Sequence, residues 1–280
     1  MSPPMPPATQ EPGPFPSRSI DVPLRRLSFG ESRRVDAWWV KTFVVFAGLT
    51  AFVVYSTWAA FQNAHYAFGP YLSPMYSPEV FGASPHAWFG AKPAWWPAIL
   101  PFSPALIILP FPGLFRLTCY YYRGAYYKSH WASPPACAVG KPQKNYRGEQ
   151  KLPLILQNVH RYFLYAALLF LVFLSYDAYK GFFHWGADHH FELHVGSLVL
   201  LLNVILLGGY TFGCHSLRHL VGGRHDEMSK RALALRMWRC ATCFNARHQL
   251  WAWCSLLWVG WTDIYVRLCS MGVLHDWRIF

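Results

Sequence analysis

The chain has 280 residues, of which 54% are hydrophobic, 18% aromatic and 14% charged, and its formal net charge is +12. This composition is too apolar for an ordinary soluble domain of this length. Because Lys and Arg concentrate at the ends of apolar segments, the positive charge indicates membrane topology and not binding to nucleic acid.

The first forty residues differ from the rest of the chain. They are rich in Pro and Ser, and they lack the basic-then-apolar order of a cleaved signal peptide. They predict an N-terminal arm at residues 1–40 that is disordered or bound to a partner.

Residues 41–280 alternate between apolar runs and loops. Most runs approach the roughly 20 residues that a spanning helix needs. They predict an all-α membrane protein, a bundle of five transmembrane helices, at about 42–62, 95–115, 152–176, 193–215 and 245–265. The second run contains five prolines, which predict a kink or break inside the bundle. The fifth reaches spanning length only if it includes Asp263, which can pair with Arg267 one helical turn later.

The basic residues also predict the orientation of the bundle. Lys and Arg cluster before the first run, between the second and third, and between the fourth and fifth. Since positively charged flanks stay inside, the N-terminus is predicted to be cytoplasmic and the C-terminus outside. The basic inner surface is suited to an acidic soluble partner or to anionic lipid in the bilayer.

Seven Cys and His side chains fall on the predicted inner side of the membrane. Two thiols with two imidazoles are typical of a Rieske-type [2Fe-2S] cluster, whereas two imidazoles alone are typical of haem b. The haem hypothesis pairs His160 with His215 or His219 and adds an outer pair such as His65 and His194. Burying an ionisable side chain in a membrane is costly without a function, which favours a redox centre over a non-redox protein whose histidines only pack. The seven residues are Cys119, Cys137, His160, Cys214, His215, His219 and His248.

Two further motifs do not join this set. Cys240 and Cys243 form a CxxC, but no second pair follows at the spacing of a structural zinc site. An HxxxH motif begins at His215, but a second histidine group, which would complete a di-iron site, falls in the predicted outer loop across the bilayer. That second group is His184, His189, His190 and His194.

From about Phe115 onwards the chain contains five distinctive strings: RLTCYYYRGAYYKSHWASPPACAV, LPLILQNVHRYFLY, NVILLGGYTFGCHSLRHLVGG, FNARHQLWAW and TDIYVRLCSMG. In these strings it resembles the membrane anchor subunit of actinobacterial-type (type F) succinate dehydrogenase, the kind found in mycobacterial complex II. The resemblance implies a five-helix anchor in the bacterial cytoplasmic membrane. It also implies soluble flavoprotein and iron–sulfur subunits on the cytoplasmic face, which carry FAD and further iron–sulfur clusters, and it leaves a higher oligomer of the complex open.

The resemblance further implies that electrons from succinate reach quinone through an embedded Rieske-type [2Fe-2S] cluster, without haem. It carries the metal ligands over to Cys119, Cys137 and His160, and to one histidine of His215 and His219. The chain has no flavin or nucleotide motif, so it is not expected to oxidise succinate alone.

Quinone reduction needs polar partners for the carbonyl groups and an apolar slot for the tail. Several side chains near the predicted inner region are suited to this, with His248 as a proton donor. Each is individually also typical of an interfacial residue. The candidates are Arg116, Tyr120, Trp131, Arg161, Tyr162 and His248.

Overall fold

The computed structural model describes residues 26–143, 150–152, 154–183, 190–223, 226–227 and 229–280. Most of the predicted arm therefore lies outside the described residues. The described part is mainly helical. Its helices are α1 (Trp38–Gln62), α2 (Pro104–Ile108), α3 (Pro110–Leu117), α4 (Tyr120–Ser129), α5 (His160–Lys180), α6 (Val195–Phe212), α7 (His215–Gly222), α8 (Ala232–Asn245) and α9 (His248–Ser270), and a 3-10 helix, Leu154–Val159, leads into α5.

A short hairpin follows α1. Its strands β1 (Ala67–Phe68) and β2 (Tyr71–Leu72) pair antiparallel, with Ala67 opposite Leu72 and Phe68 opposite Tyr71. Gly69 in the turn has φ +53°, a left-handed conformation that glycine adopts without steric cost.

Three helical segments are long and apolar enough to cross a membrane: Trp38–Gln62, Leu154–Lys180 and Val195–Phe212. They confirm that the first, third and fourth apolar runs are helical. The fifth run also forms a helix, α9, which extends to Ser270 and so beyond the predicted end at residue 265. This helix is not among the three strongly apolar segments, so its role as a span stays a prediction.

The second apolar run is not one continuous helix, in agreement with the break that its prolines predict. Residues 95–103 form no helix, and the rest is divided at Leu109 into α2 and α3. Pro104 and Pro110 occupy the first turns of these two helices, where a missing N–H costs no hydrogen bond. The two prolines therefore mark the starts of α2 and α3 and divide the second apolar run.

We call the end of the bundle at which α1, α5 and α9 begin the inner end, after the predicted orientation. The core at this end joins α3, α4, α5, α6 and α9. Its buried members are Phe115, Cys119, Tyr122, Leu164, Ala167, Tyr210, Cys214, Ala252 and Leu256. A second core near the other end joins α1, α2 and the hairpin region.

A buried ion pair fixes α9 in the bundle. Asp263 and Arg267 are 0% and 5% exposed, and Arg267 Nε lies 2.7 Å from Asp263 Oδ2. Arg267 also donates to the carbonyl oxygens of Ala59 (3.2 Å) and Ala64 (2.8 Å). Tyr55 of α1 donates to Asp263 at 2.6 Å. The predicted pairing is thus confirmed, and it links α9 to α1 and to the loop after α1.

Replacing Asp263 by Ala should destabilise the chain by about 3–5 kcal/mol, because Arg267 would stay buried without its carboxylate. The measurement is the free energy of unfolding of the full chain in detergent. Asp36→Ala is the control, since it removes only the exposed pair between Asp36 and Arg34 and should leave stability nearly unchanged. Equal losses in the two variants would contradict a structural role for the buried pair.

Candidate metal centre

Four of the seven ligand-type side chains meet in the inner core, each delivered by a different part of the bundle. Cys119 immediately precedes α4, His160 begins α5, Cys214 lies between α6 and α7, and His248 begins α9. Cys119, His160 and Cys214 are at most 3% exposed, and His248 is half-buried. Two thiols and two imidazoles therefore converge from positions that are far apart in the sequence.

The four side chains form two close pairs. His160 Nε2 lies 3.1 Å from Cys214 Sγ, and His248 Nε2 lies 3.5 Å from Cys119 Sγ. The imidazole rings are held by aromatic stacking. His160 stacks on Phe115 with centroids 4.9 Å apart, and His248 stacks on Tyr210 with centroids 5.0 Å apart.

Two similar helix breaks place the thiols. Cys119 (φ −66°, ψ 131°) separates α3 from α4, and Cys214 (φ −66°, ψ 135°) separates α6 from α7. At each break one extended residue redirects the chain. The cysteine is buried, whereas the residue after it, Tyr120 or His215, is exposed. Both breaks lie at the inner end, so these two buried thiols lie there as well.

Arg116 supplies the positive charge of this core. It donates to Tyr122 Oη (2.6 Å), Ser255 Oγ (3.0 Å) and the Ala252 carbonyl (3.3 Å). Its guanidinium also lies 4.7 Å from the ring centroid of Tyr210. A cation held in an apolar core favours anionic groups near it, including thiolate sulfur.

Several buried polar atoms of the core are left without protein partners. Tyr210 Oη and His248 Nδ1 have no hydrogen-bond partner among the described residues. Buried polar groups are nearly always hydrogen-bonded, so such atoms point to a group that binds there.

A metal ion or cluster needs several protein ligands placed around it. Within the described ranges, no group of three or more His, Cys, Asp or Glu side chains is placed to hold a single metal ion. Two thiols and two imidazoles match the ligands of a Rieske-type cluster in number and type, and in that cluster both imidazoles bind one iron and both thiolates the other. In the present structure each close pair combines one thiol with one imidazole.

The other three predicted ligands are exposed side chains. Cys137 is exposed on the loop after α4, and its carbonyl accepts a hydrogen bond from Arg34 (3.1 Å). His215 and His219 are exposed on α7, and His219 Nδ1 lies 3.1 Å from Arg161 Nη2. The structure thus joins Cys119 and His160 to Cys214 and His248, and not to Cys137, His215 or His219.

The predicted quinone-binding residues also separate into two groups. Arg116 and His248 belong to the core, whereas Tyr120, Trp131, Arg161 and Tyr162 are exposed. Trp131 packs against neighbouring tyrosine rings of α4. Tyr210 is not among the residues predicted from the sequence. It lies in α6, four residues before Cys214, and this spacing could have indicated that the two residues share a face.

The remaining motifs lie elsewhere. Cys240 and Cys243 are exposed on α8. His190 and His194 contact Glu192 near the C-terminal end of the chain, whereas His184 and His189 fall outside the described residues.

An apolar cavity of about 170 Å³ adjoins the inner core on the side that faces the other end of the bundle. It lies between α1, α3, α5 and α6. Among the residues that line it are Leu109, Phe115, Arg116, Leu171, Leu207 and Tyr210. Phe115 and Tyr210 therefore have one face towards the histidine pair and another towards the cavity.

A family model described as actinobacterial succinate dehydrogenase subunit SdhC matches residues 40–272. The chain belongs to this SdhC family. The structure is similar to that of a chain of the Mycobacterium smegmatis Sdh1 complex in the apo form, with a TM-score of 0.81 and 42% sequence identity, over 92% of this chain and 97% of that chain. A search of curated proteins found no match.

These findings confirm the resemblance seen in the sequence strings. The chain is a subunit of a succinate dehydrogenase and a multi-pass protein of the bacterial cytoplasmic membrane.

The close approach of α6 to α9 beside the core depends on Gly209. A Cβ atom at this position would come within 2.5 Å of the Trp251 ring, whereas one at Gly208 would be 3.6 Å from its nearest neighbour, Phe212.

Gly209→Ala should therefore destabilise the enzyme by about 1–3 kcal/mol through overpacking. Gly208→Ala is the matched control and should be neutral or slightly stabilising, since Ala favours the helix. Thermal unfolding of the purified enzyme measures both, and equal stability of the two variants would contradict this packing.

Proposed function

We propose that this chain is the membrane anchor and quinone-reducing subunit of a succinate:quinone oxidoreductase. In this role it carries electrons from an iron–sulfur subunit, through a Rieske-type [2Fe-2S] cluster held in the membrane, to quinone. The observation that supports the proposal is the convergence of Cys119, His160, Cys214 and His248 in one buried core of an SdhC-family chain.

The proposal includes partners at the inner end. A flavoprotein subunit with FAD and an iron–sulfur subunit with further clusters would dock there, next to the basic loops. The acceptor core lies at the same end, where the helices containing its ligands begin or end. An electron that arrives from a soluble subunit then has a short path into the membrane.

We further propose five membrane segments with a cytoplasmic N-terminus and an outer C-terminus. The second segment would be the proline-broken α2 and α3, and the fifth would be α9. A helix of 23 residues is about 34 Å long at 1.5 Å per residue, enough for a hydrocarbon core of roughly 30 Å. Its two charged residues in the membrane, Asp263 and Arg267, neutralise each other.

The proposed cluster ligands are Cys119, Cys214, His160 and His248. Thiolate and imidazole ligands together give a cluster with a higher reduction potential than four thiolates do, and when bound such a cluster supplies one-electron transfer. The chain's own contribution is to bury the site, stack both imidazole rings and place the Arg116 cation beside it. The haem hypothesis requires His160 to face His215 or His219, whereas His160 Nε2 faces Cys214.

The apolar cavity beside the core is the proposed quinone site. Its walls offer the apolar slot that a quinone tail needs, and Arg116 and Tyr210 provide polar groups where it meets the core. The Tyr210 hydroxyl, which has no partner within the described part of the chain, can donate a hydrogen bond to a quinone carbonyl. Proton donation from such a hydroxyl would favour the reduced quinone.

The cluster assignment predicts which cysteines retain the centre. In the enzyme purified through this chain, Cys119→Ser and Cys214→Ser should lose the Rieske-type EPR signal, together with the matching iron and labile sulfide. Cys137→Ser and Cys240→Ser are controls at exposed thiols and should keep the signal.

Other outcomes of this measurement are equally decisive. Loss of the signal in Cys137→Ser with retention in Cys214→Ser would contradict the proposed ligand set. Haem absorption bands without a Rieske-type signal would contradict the cluster itself.

The quinone site predicts a separate effect on kinetics. Leu171 lines the cavity and is 8% exposed, so Leu171→Trp should fill the slot and raise the KM for quinone by about tenfold or more. Succinate oxidation with a soluble artificial acceptor should be unchanged. Leu169→Trp is the control, because Leu169 lies on the same helix but is 53% exposed. Unchanged quinone kinetics in Leu171→Trp would rule out this cavity.

A further inference from the structure

Thr118 stands directly before Cys119 at the end of α3 and is 1% exposed. Its hydroxyl lies 2.9 Å from His160 Nδ1 on α5 and 2.7 Å from the carbonyl oxygen of Leu114 in its own helix. It thus contacts a proposed metal ligand on one side and an ordinary backbone group on the other.

These two contacts determine the protonation of the imidazole. A carbonyl oxygen can only accept, so the single hydroxyl proton of Thr118 points to Leu114. The Thr118 oxygen then offers a lone pair to His160, and His160 Nδ1 must carry the proton of that hydrogen bond. In a neutral imidazole the other nitrogen, Nε2, is left unprotonated, and it lies 3.1 Å from Cys214 Sγ.

One helical turn arranges this geometry. Phe115, Thr118 and Cys119 are spaced i, i+3 and i+4, so they share one face of the chain as α3 ends. Phe115 stacks on the His160 ring with an interplanar angle of 1°, which fixes its plane. Thr118 fixes its rotation within that plane, and Cys119 supplies a thiol to the same core.

His248, the second proposed imidazole ligand, has no equivalent support. Its Nδ1 is buried without a hydrogen-bond partner in the described part of the chain. The two histidines therefore differ at Nδ1: a hydroxyl orients His160 there, whereas His248 is held by stacking on Tyr210 and by the contact of its Nε2 with Cys119.

We propose that Thr118 is a positioning residue that holds His160 as the Nδ1-protonated tautomer and thereby presents Nε2 to the metal centre. The inference rests on the ligand set given under the proposed function. Groups that orient a metal-binding histidine commonly contribute about 10- to 100-fold to metal affinity.

A purely structural role would involve only the hydrogen bond to Leu114. Thr262 in α9 provides a matched control for that role, since it is 0% exposed and donates to the Trp258 carbonyl at 2.8 Å without a histidine contact. Thr→Val at either position removes the same kind of backbone hydrogen bond with little change in volume.

The experiment uses the whole enzyme with Thr118→Val, Thr118→Ser and Thr262→Val. Iron and labile sulfide are assayed with the EPR spectrum of the reduced enzyme, before and during challenge with a chelator. Thr118→Val should hold its centre about 10- to 100-fold more weakly and show an altered Rieske-type signal. Thr118→Ser, which keeps the hydroxyl, and Thr262→Val should both resemble the wild type.

The outcomes separate this inference from the proposed function. A Rieske-type signal that survives unchanged in Thr118→Val overturns the role of Thr118 alone. Equal loss in Thr118→Ser and Thr118→Val overturns it too, because the methyl group and not the hydroxyl would then matter. A wild-type enzyme without any Rieske-type signal overturns the proposed function and this inference with it.

Discussion

The buried pair of Asp263 and Arg267 allows a helix with two charged residues to pack in the middle of an apolar bundle. Each charge would be costly to bury alone, but here Arg267 also donates to two backbone carbonyls, and Asp263 also accepts from the Tyr55 and Ser73 hydroxyls. The other end of the same helix contains His248, and the Ala252 carbonyl and Ser255 that bind Arg116. The candidate centre at one end of α9 therefore depends on an ion pair at the other.

Breaks in helices are the second requirement of this architecture. A chain in an apolar medium must satisfy its backbone polar groups internally, so irregular backbone is stable only where protein surrounds it. The break at Cys214 meets this condition, because Asn245 at the end of α8 donates to the Gly213 carbonyl at 2.8 Å. At the break beside Cys119, the backbone N–H of Thr118 bonds to Leu114. Both breaks are supported locally, and both direct a thiol inwards.

Hydropathy was sufficient to predict α1, α5 and α6, because a long apolar run has few stable alternatives to a spanning helix. Hydropathy did not predict that residues 95–103 are non-helical, because it scores apolar side chains and ignores the backbone. Pro97 and Pro101 have no backbone N–H to donate to a helix. The i, i+4 spacing of Asp263 and Arg267 was enough to predict their pairing, because both partners lie on one helix.

Spacing along the sequence does not show which cysteines are buried in the core. Burial of Cys214 and exposure of Cys137 depend on the packing of α3, α5, α6 and α9, and the contact of Thr118 with His160 crosses between two helices.

The four residues of the candidate centre come from four separate segments, and the last of them, His248, belongs to the final helix. A nascent chain that has not yet reached α9 lacks this histidine. In biogenesis the complete site therefore exists only after α9 has been made and has packed against α6, so insertion of a metal cofactor would follow membrane insertion of the whole anchor. Once bound, such a cofactor would cross-link segments that are far apart along the chain, and its binding energy would add directly to the stability of the helical bundle.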